Sequence, residues 1–152
     1  LPRPLHDRVI GSFTIDIDAS VSDVQEKSMT LIEEVAVRRE TDLVAEMLSG
    51  WKRGSGAAVA LSDTLEAVQE HRARLLLVAA GYDGPGYRCQ NCRYLMLVAR
   101  EECPLCGGHV EPVEDVVDTI MHRALEQGVE VEIVRGSQAL EEAGSIGALL
   151  RY

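Results

Sequence analysis

The chain has 152 residues, enough for one domain or for one domain and part of another, and its formal net charge is −10 at pH 7. This negative charge argues against extensive binding of nucleic-acid phosphates by the polypeptide alone. The sequence shows no signal peptide and no apolar run long enough to cross a bilayer. We therefore expect no membrane association and a cytoplasmic protein.

The amino-terminal third is predicted to form a strand and a long helix. Residues 9–17 alternate between apolar and polar side chains, which is typical of a half-buried strand. Ser20 and Asp23 follow with the spacing of a capping box, and apolar residues then recur at helical spacing as far as Ser49-Gly50. The chain begins without methionine, so we interpret it as a piece of a longer protein that lacks the rest of this strand's sheet. An unpaired strand edge seeks partners, so we expect it to pair with another chain or to fold back, giving a homodimer or a larger species.

The pattern changes after the flexible residues 52–56. Residues 57–61 form a short apolar run, and Ser62-Asp63 can cap a helix that ends at about residue 71. Residues 75–80 are continuously apolar, as expected of a strand that is covered on both faces. Strand, helix and strand in this order predict a right-handed βαβ unit.

A second helix and further strands complete the predicted domain. Acidic residues Glu114-Asp115 begin a helix that Gly128 ends, and residues 129–133 alternate as a strand. The remaining segment, residues 140–152, supplies the last strand in the predicted order. The order of elements predicts an α/β sandwich over residues 51–152.

All four cysteines lie in two Cys-x2-Cys pairs, Cys89/Cys92 and Cys103/Cys106, separated by ten residues. Two tight turns of this kind can present four sulfurs to one zinc ion at about 2.3 Å, with no position left open for a substrate. We therefore predict a structural Zn²⁺ site that holds an inserted ribbon, residues 86–110. Two disulfides or a redox-active pair are the alternatives, and the length of the chain and the doubled motif favour zinc. His109 could also reach the metal, but we interpret it as a solvated loop residue.

No catalytic residue is predicted. The metal accounts for every cysteine, and Gly54-Ser55-Gly56 lacks the spacing of a phosphate-binding loop. Asp16 and Asp18 are interpreted as residues of an exposed strand edge, and His122 as a residue of a helix surface.

The end of the chain, Gly144-Ser145-Ile146-Gly147-Ala148-Leu149-Leu150-Arg151-Tyr152, resembles the glycine-rich GGIGGILRY-type ending of the archaeo-eukaryotic peptide chain release factor subunit 1 family. Residues 61–68 and 74–78 resemble the start of that family's third domain, in which archaeal and bacterial-type members carry a pair of zinc knuckles after the second strand. The resemblance covers residues 52–152, and residues 1–50 resemble the final strand and long exit helix of the family's second domain.

The resemblance implies an α/β/α sandwich of the kind found in kink-turn-binding ribosomal proteins and in the ribosome-rescue factor Pelota. It also implies a non-catalytic domain that docks a translational GTPase, in translation termination or ribosome rescue. The Gly-Gly-Gln loop that triggers peptidyl-tRNA hydrolysis belongs to the family's second domain and does not occur in this sequence. We therefore expect that this chain is not an enzyme, although a full-length parent can promote that hydrolysis.

The resemblance also suggests which residues dock the partner. We assign the docking surface to Gly144, Ile146, Gly147, Arg151 and Tyr152, with a purely structural closing strand as the alternative for this segment. The alternative function is that of an RNA-binding module with the ribosomal-protein-like fold. The acidic charge counts against direct nucleic-acid binding by this chain.

Overall fold

The computed structural model describes residues 10–152 and divides the chain into two compact units, Leu1–Asp42 and Leu43–Tyr152. The described elements, in chain order, are α1 (Val21–Lys52), β1 (Ala57–Val59), α2 (Leu61–Gln69), β2 (Ala73–Ala79), β3 (Gly86–Cys89), β4 (Leu95–Met96), β5 (Val110–Val113), α3 (Val116–Glu126), β6 (Glu130–Val134), α4 (Gln138–Glu142) and β7 (Ile146–Leu150). None of the described helices is both long and apolar enough to cross a membrane.

The strand predicted for residues 9–17 is wrong over its described part. Residues 10–16 form no strand, and a turn follows at Ile17-Asp18. The reason is that no described strand pairs with this segment, and a lone strand leaves its backbone groups without partners. Residues 10–18 therefore offer no strand edge on which the expected homodimer could form.

The predicted start of the long helix is confirmed. The Ser20 N–H donates to the Asp23 carboxylate at 3.0 Å, and the Asp23 N–H donates to the Ser20 hydroxyl oxygen at 3.2 Å. Each residue thus satisfies a backbone donor of the other, as a capping box requires.

The main sheet has four strands in the order β1-β7-β2-β6. Strand β7 is antiparallel to both β1 and β2, whereas β2 and β6 are parallel and are joined by helix α3. The predicted βαβ unit of β1, α2 and β2 is therefore interrupted, because β7 lies between its two strands. The adjacent parallel strands belong instead to the unit β2-α3-β6.

Strand β2 is buried on both faces, as its continuous apolar sequence predicted. Leu76 and Val78 pack in a cluster with residues of α2 and α3, and Leu75 and Leu77 pack in a second cluster with residues of α1 and α4. Helices thus cover both faces of the sheet, and the predicted α/β/α sandwich is confirmed.

Helices α2 and α3 begin differently. Helix α3 is capped by the Asp115 carboxylate, which accepts hydrogen bonds from the N–H groups of Val117 (3.0 Å) and Asp118 (3.2 Å). Helix α2 follows Ala60, whose φ is 70°, and has no side-chain cap, so the capping role predicted for Ser62-Asp63 is wrong. The reason is that both residues lie inside the first turn of α2, which begins at Leu61.

Candidate metal centre

Strands β3, β4 and β5 form a separate antiparallel sheet in the order β4-β3-β5. The predicted insertion is therefore a small folded ribbon, and its last strand extends beyond residue 110 to Val113. Its own apolar core is small and consists of Cys89, Met96, Cys103 and Val110, with Tyr87 and Tyr94 partly buried beside them. A core of this size needs a further cross-link to hold one conformation, and the four cysteines can provide it through a metal ion.

The two Cys-x2-Cys pairs have the same backbone geometry. In each pair, the first cysteine accepts a hydrogen bond from the N–H four residues later and donates to the carbonyl five residues later. These bonds are Arg93 N to Cys89 O (3.0 Å), Cys89 N to Tyr94 O (2.9 Å), Gly107 N to Cys103 O (2.9 Å) and Cys103 N to Gly108 O (2.9 Å). Arg93 and Gly107, the residues four places after the first cysteine, have φ of 65° and 74°. Two equivalent turns of this kind point their sulfurs toward a common centre.

The four sulfurs form one cluster in which all Sγ atoms lie within 4.8 Å of one another. The Cys89 and Cys106 sulfurs are 3.4 Å apart, and those of Cys92 and Cys103 are 3.6 Å apart. All four cysteines are free. Four thiolates at tetrahedral corners about 2.3 Å from a zinc ion would be separated by about 3.8 Å, so the cluster fits this ion.

Backbone N–H groups point at three of the four sulfurs. The pKa values of Cys103 and Cys106 are lowered, whereas that of Cys92 is raised. The Cys89 sulfur accepts from the N–H groups of Asn91 and Cys92, and the Cys103 sulfur accepts from Leu105 N, each at 3.4 Å. The pKa of Cys106 is lowered to about 6, first by the Asn91 side-chain amide and then by the Gly108 N–H. Thiolates are the form of cysteine that binds metal, so these donors act as an outer shell of a metal site.

Gly108 shows how tightly the ribbon is packed around the sulfurs. A Cβ at this position would lie 3.0 Å from the Cys89 sulfur and 3.2 Å from the Cys106 sulfur. No larger residue fits without moving a ligand, which explains the glycine at the end of the second pair.

Two side chains of the sandwich hold the ribbon in place. The Gln69 side chain, at the end of α2, accepts from Leu95 N at 2.7 Å and donates to Leu95 O at 3.1 Å. Arg123 of α3 donates to Arg93 O at 2.7 Å and to the Gln69 side-chain oxygen at 3.2 Å. We call Gln69 and Arg123 the ribbon clamp. Neither residue stands in a recognisable motif, so the sequence does not point to this pair.

The other predicted polar residues lie away from the sulfur cluster. His109 is exposed and lies outside the cluster, and it pairs with Glu102 in an isolated β-bridge rather than lying in a loop as predicted. His122 is exposed on α3 and lies 3.5 Å from Asp118. Asp16 and Asp18 lie at a turn and not on the strand edge that was predicted for them.

The glycine-rich end forms the interior strand β7 and the residues on either side of it. Ile146 is fully buried. Gly147 packs against the Met47 side chain, and a Cβ added to Gly147 would lie only 2.9 Å from the carbonyl oxygen of Ala58. Gly144 has a φ of 115°, and a Cβ added to it would lie 3.0 Å from the Cβ of Ala60. Of the five residues assigned to docking, three therefore have a role inside the fold, whereas Arg151 and Tyr152 are exposed.

No protein-family model matches the sequence, and no curated protein matches it significantly. Solved structures do resemble it. The C-terminal domain of a peptide chain release factor from Methanosarcina mazei superposes with a TM-score of 0.60 at 18% identity, over 91% of this chain and 98% of that domain.

Pelota from Archaeoglobus fulgidus superposes with a TM-score of 0.62 at 20% identity, over 93% of this chain. Pelota from Thermoplasma acidophilum superposes with a TM-score of 0.50 at 19% identity, over 99% of this chain. The chain spans 38% and 42% of the lengths of these two Pelota proteins. The fold is therefore that of the release-factor C-terminal domain and of a part of Pelota.

Proposed function

We propose that this chain is a non-catalytic interaction domain of a release-factor-like protein that acts in translation termination or ribosome rescue. The observation that carries the proposal is the similarity to the release-factor C-terminal domain, which extends over 91% of one chain and 98% of the other. The release-factor-like ending at residues 144–152 supports it independently at the level of sequence. In this role the protein works in the cytoplasm, and we assign it no catalytic residue.

The partner in this proposal is a translational GTPase, and the contact lies at the carboxyl end of the chain. Arg151 and Tyr152 are the docking residues that a partner can reach, since both are exposed. Gly144, Ile146 and Gly147 contribute by fixing the strand that presents them.

A binding measurement with purified components tests this function. The chain is titrated with the recombinant translational GTPase of its source organism, and with a structured ribosomal RNA fragment at physiological salt. Saturable binding of the GTPase is expected. Binding of the RNA with no affinity for the GTPase would replace the docking proposal with the RNA-binding alternative.

The metal in this proposal is one structural Zn²⁺ bound by Cys89, Cys92, Cys103 and Cys106. Bound there, the ion neutralises thiolate charge and fixes the two turns relative to each other. It takes no part in chemistry on a substrate, because four cysteine ligands fill its coordination positions and leave none open.

The cysteine cluster predicts the metal content of two variants. Cys103→Ser removes one ligand, so we expect loss of zinc in native mass spectrometry and loss of hydrogen-exchange protection in the ribbon, with the main sheet still folded. His109→Ala serves as the control and should retain one zinc per chain. A wild-type chain that is metal-free and disulfide-bonded would contradict the assignment.

A further inference from the structure

Three segments distant in sequence meet at one end of the main sheet. The last turn of α1 runs into the turn before β1, and the Leu150 N–H donates to Gly56 O at 2.9 Å. Arg151 binds the start of β2 twice, through its backbone N–H to Arg72 O (2.7 Å) and through its Nε to Ala73 O (3.2 Å). The turn that follows α1 and the end of β7 therefore lie side by side. We call Trp51, Lys52, Arg53, Arg151 and Tyr152 the basic corner.

The basic corner carries positive charge that the neighbouring residues do not neutralise. Two other arginines at this end are paired, Arg72 with Glu70 at 2.6 Å and Arg74 with Glu46 at 2.8 Å. Within the part of the chain that the structure describes, Lys52, Arg53 and Arg151 form no ion pair. Three exposed cations thus stand together on a chain whose net charge is −10.

Two aromatic side chains of the corner are also exposed. Trp51 has 50% of its surface accessible, and Tyr152 has 77%. Cations at the end of a helix have an ordinary structural explanation, because they complement the helix dipole, and this accounts for Lys52 and Arg53. It does not account for an exposed tryptophan beside them, nor for Arg151 and Tyr152 on another element. Trp, Tyr and Arg together are the residues most enriched at the energetic centres of protein interfaces.

We propose that the basic corner is the contact surface for an acidic patch on a protein partner. This inference rests on the docking function proposed above and specifies the chemistry that the GTPase must present there. Charge complementarity argues for an acidic partner, and the exposed aromatic pair argues for a protein surface that can bury it. RNA fits less well, because a polyanion is repelled by the chain's overall negative charge and meets only three free cations here.

Charge reversal at the corner tests the inference. The probe is the recombinant translational GTPase of the source organism, titrated against wild type, Lys52→Glu and Arg53→Glu at two salt concentrations. Each reversal should weaken binding about tenfold and flatten its salt dependence. Arg100→Glu, an exposed arginine of the ribbon, makes the same charge change elsewhere and should leave affinity unchanged. Thermal unfolding of every variant shows whether its fold is intact.

The outcomes separate this inference from the function on which it rests. If wild type and both corner variants bind the GTPase equally well, the basic corner is not the contact surface, and the docking function stands. If wild type does not bind the GTPase, both proposals fail. Binding of a ribosomal RNA fragment that the corner variants abolish, without GTPase binding, would assign the surface to RNA.

Discussion

Ser145 has a backbone conformation that suits glycine better than serine. Its φ is 68°, and hydrogen bonds fix it there on both sides, from Ser145 N to Leu140 O and from Ala79 N to Ser145 O, each at 2.8 Å. A side chain in this left-handed region costs about 1–2 kcal/mol. The release-factor ending that this segment resembles has glycine at the corresponding place, and the geometry here gives a physical reason for it.

Ser145→Gly is therefore expected to stabilise the domain by about 0.5–1 kcal/mol, the relief of strain less the greater freedom of glycine in the unfolded chain. Urea unfolding measures the change in the free energy of unfolding. The same substitution at Ser62, an exposed residue of helix α2, should instead destabilise by up to about 1 kcal/mol. Equal effects at the two positions would show that Ser145 is not strained.

At the scale of elements, the ribbon and the sandwich are joined through few polar contacts. Leu95 belongs to the core of the sandwich, whereas the next residue, Met96, belongs to the core of the ribbon. The short strand β4 is thus shared between two cores, and the ribbon clamp binds both backbone groups of Leu95. Loss of the clamp should consequently affect both parts.

Gln69→Leu should destabilise the domain by about 1–3 kcal/mol, because it leaves the buried N–H and carbonyl of Leu95 without partners. It should also speed the release of zinc to a chromophoric chelator, since the ribbon is held less firmly. Urea unfolding and the rate of metal transfer are the two measurements.

Gln90→Leu is the matched control for this variant. The Gln90 side chain donates to Glu111 at 3.0 Å on the exposed face of the ribbon, so its loss should change stability by less than about 0.5 kcal/mol. A Gln69 variant that behaves like the Gln90 variant in both measurements would exclude a clamping role.

For the whole molecule, several apolar side chains of the first unit are exposed. Val21, Met29 and Ile32 of α1 have 75%, 62% and 55% of their surfaces accessible. A groove of about 800 Å³ lies between residues 12–19 and the first turns of the same helix. Exposed apolar surface of this kind favours association.

We predict that the chain self-associates through α1, and that Ile32→Glu weakens this by removing an apolar contact and adding charge repulsion. Sedimentation equilibrium over a range of concentrations measures the effect. Thr41→Glu adds the same charge at an exposed polar position of the helix and should have little effect. Wild type that remains monomeric at high concentration would contradict the prediction.

Local patterns predicted most of the elements, because each rests on contacts close in sequence. The capping box at Ser20, the start of a helix at Glu114-Asp115 and the doubly buried strand β2 all follow from such patterns, and so does the grouping of the four cysteines.

The remaining features depend on contacts between residues far apart in sequence. The position of β7 between β1 and β2 and the clamp at Gln69 and Arg123 leave no local pattern. Residues 10–16 carry a strand pattern and yet form none, because alternation specifies a strand only where a neighbouring strand accepts its hydrogen bonds.

The position of strand β7 has a consequence for biosynthesis. Among the described strands of this sheet it is the last to leave the ribosome, and it is the one that joins β1 to the others. Until residues 146–150 have emerged, β1 and β2 each lack a neighbour, so the sheet cannot close during translation of the preceding residues. The ribbon strands β3, β4 and β5 pair with one another and not with β7, so their sheet can form earlier. The nascent chain can therefore form the ribbon sheet first and complete its main sheet only after residues 146–150 have emerged.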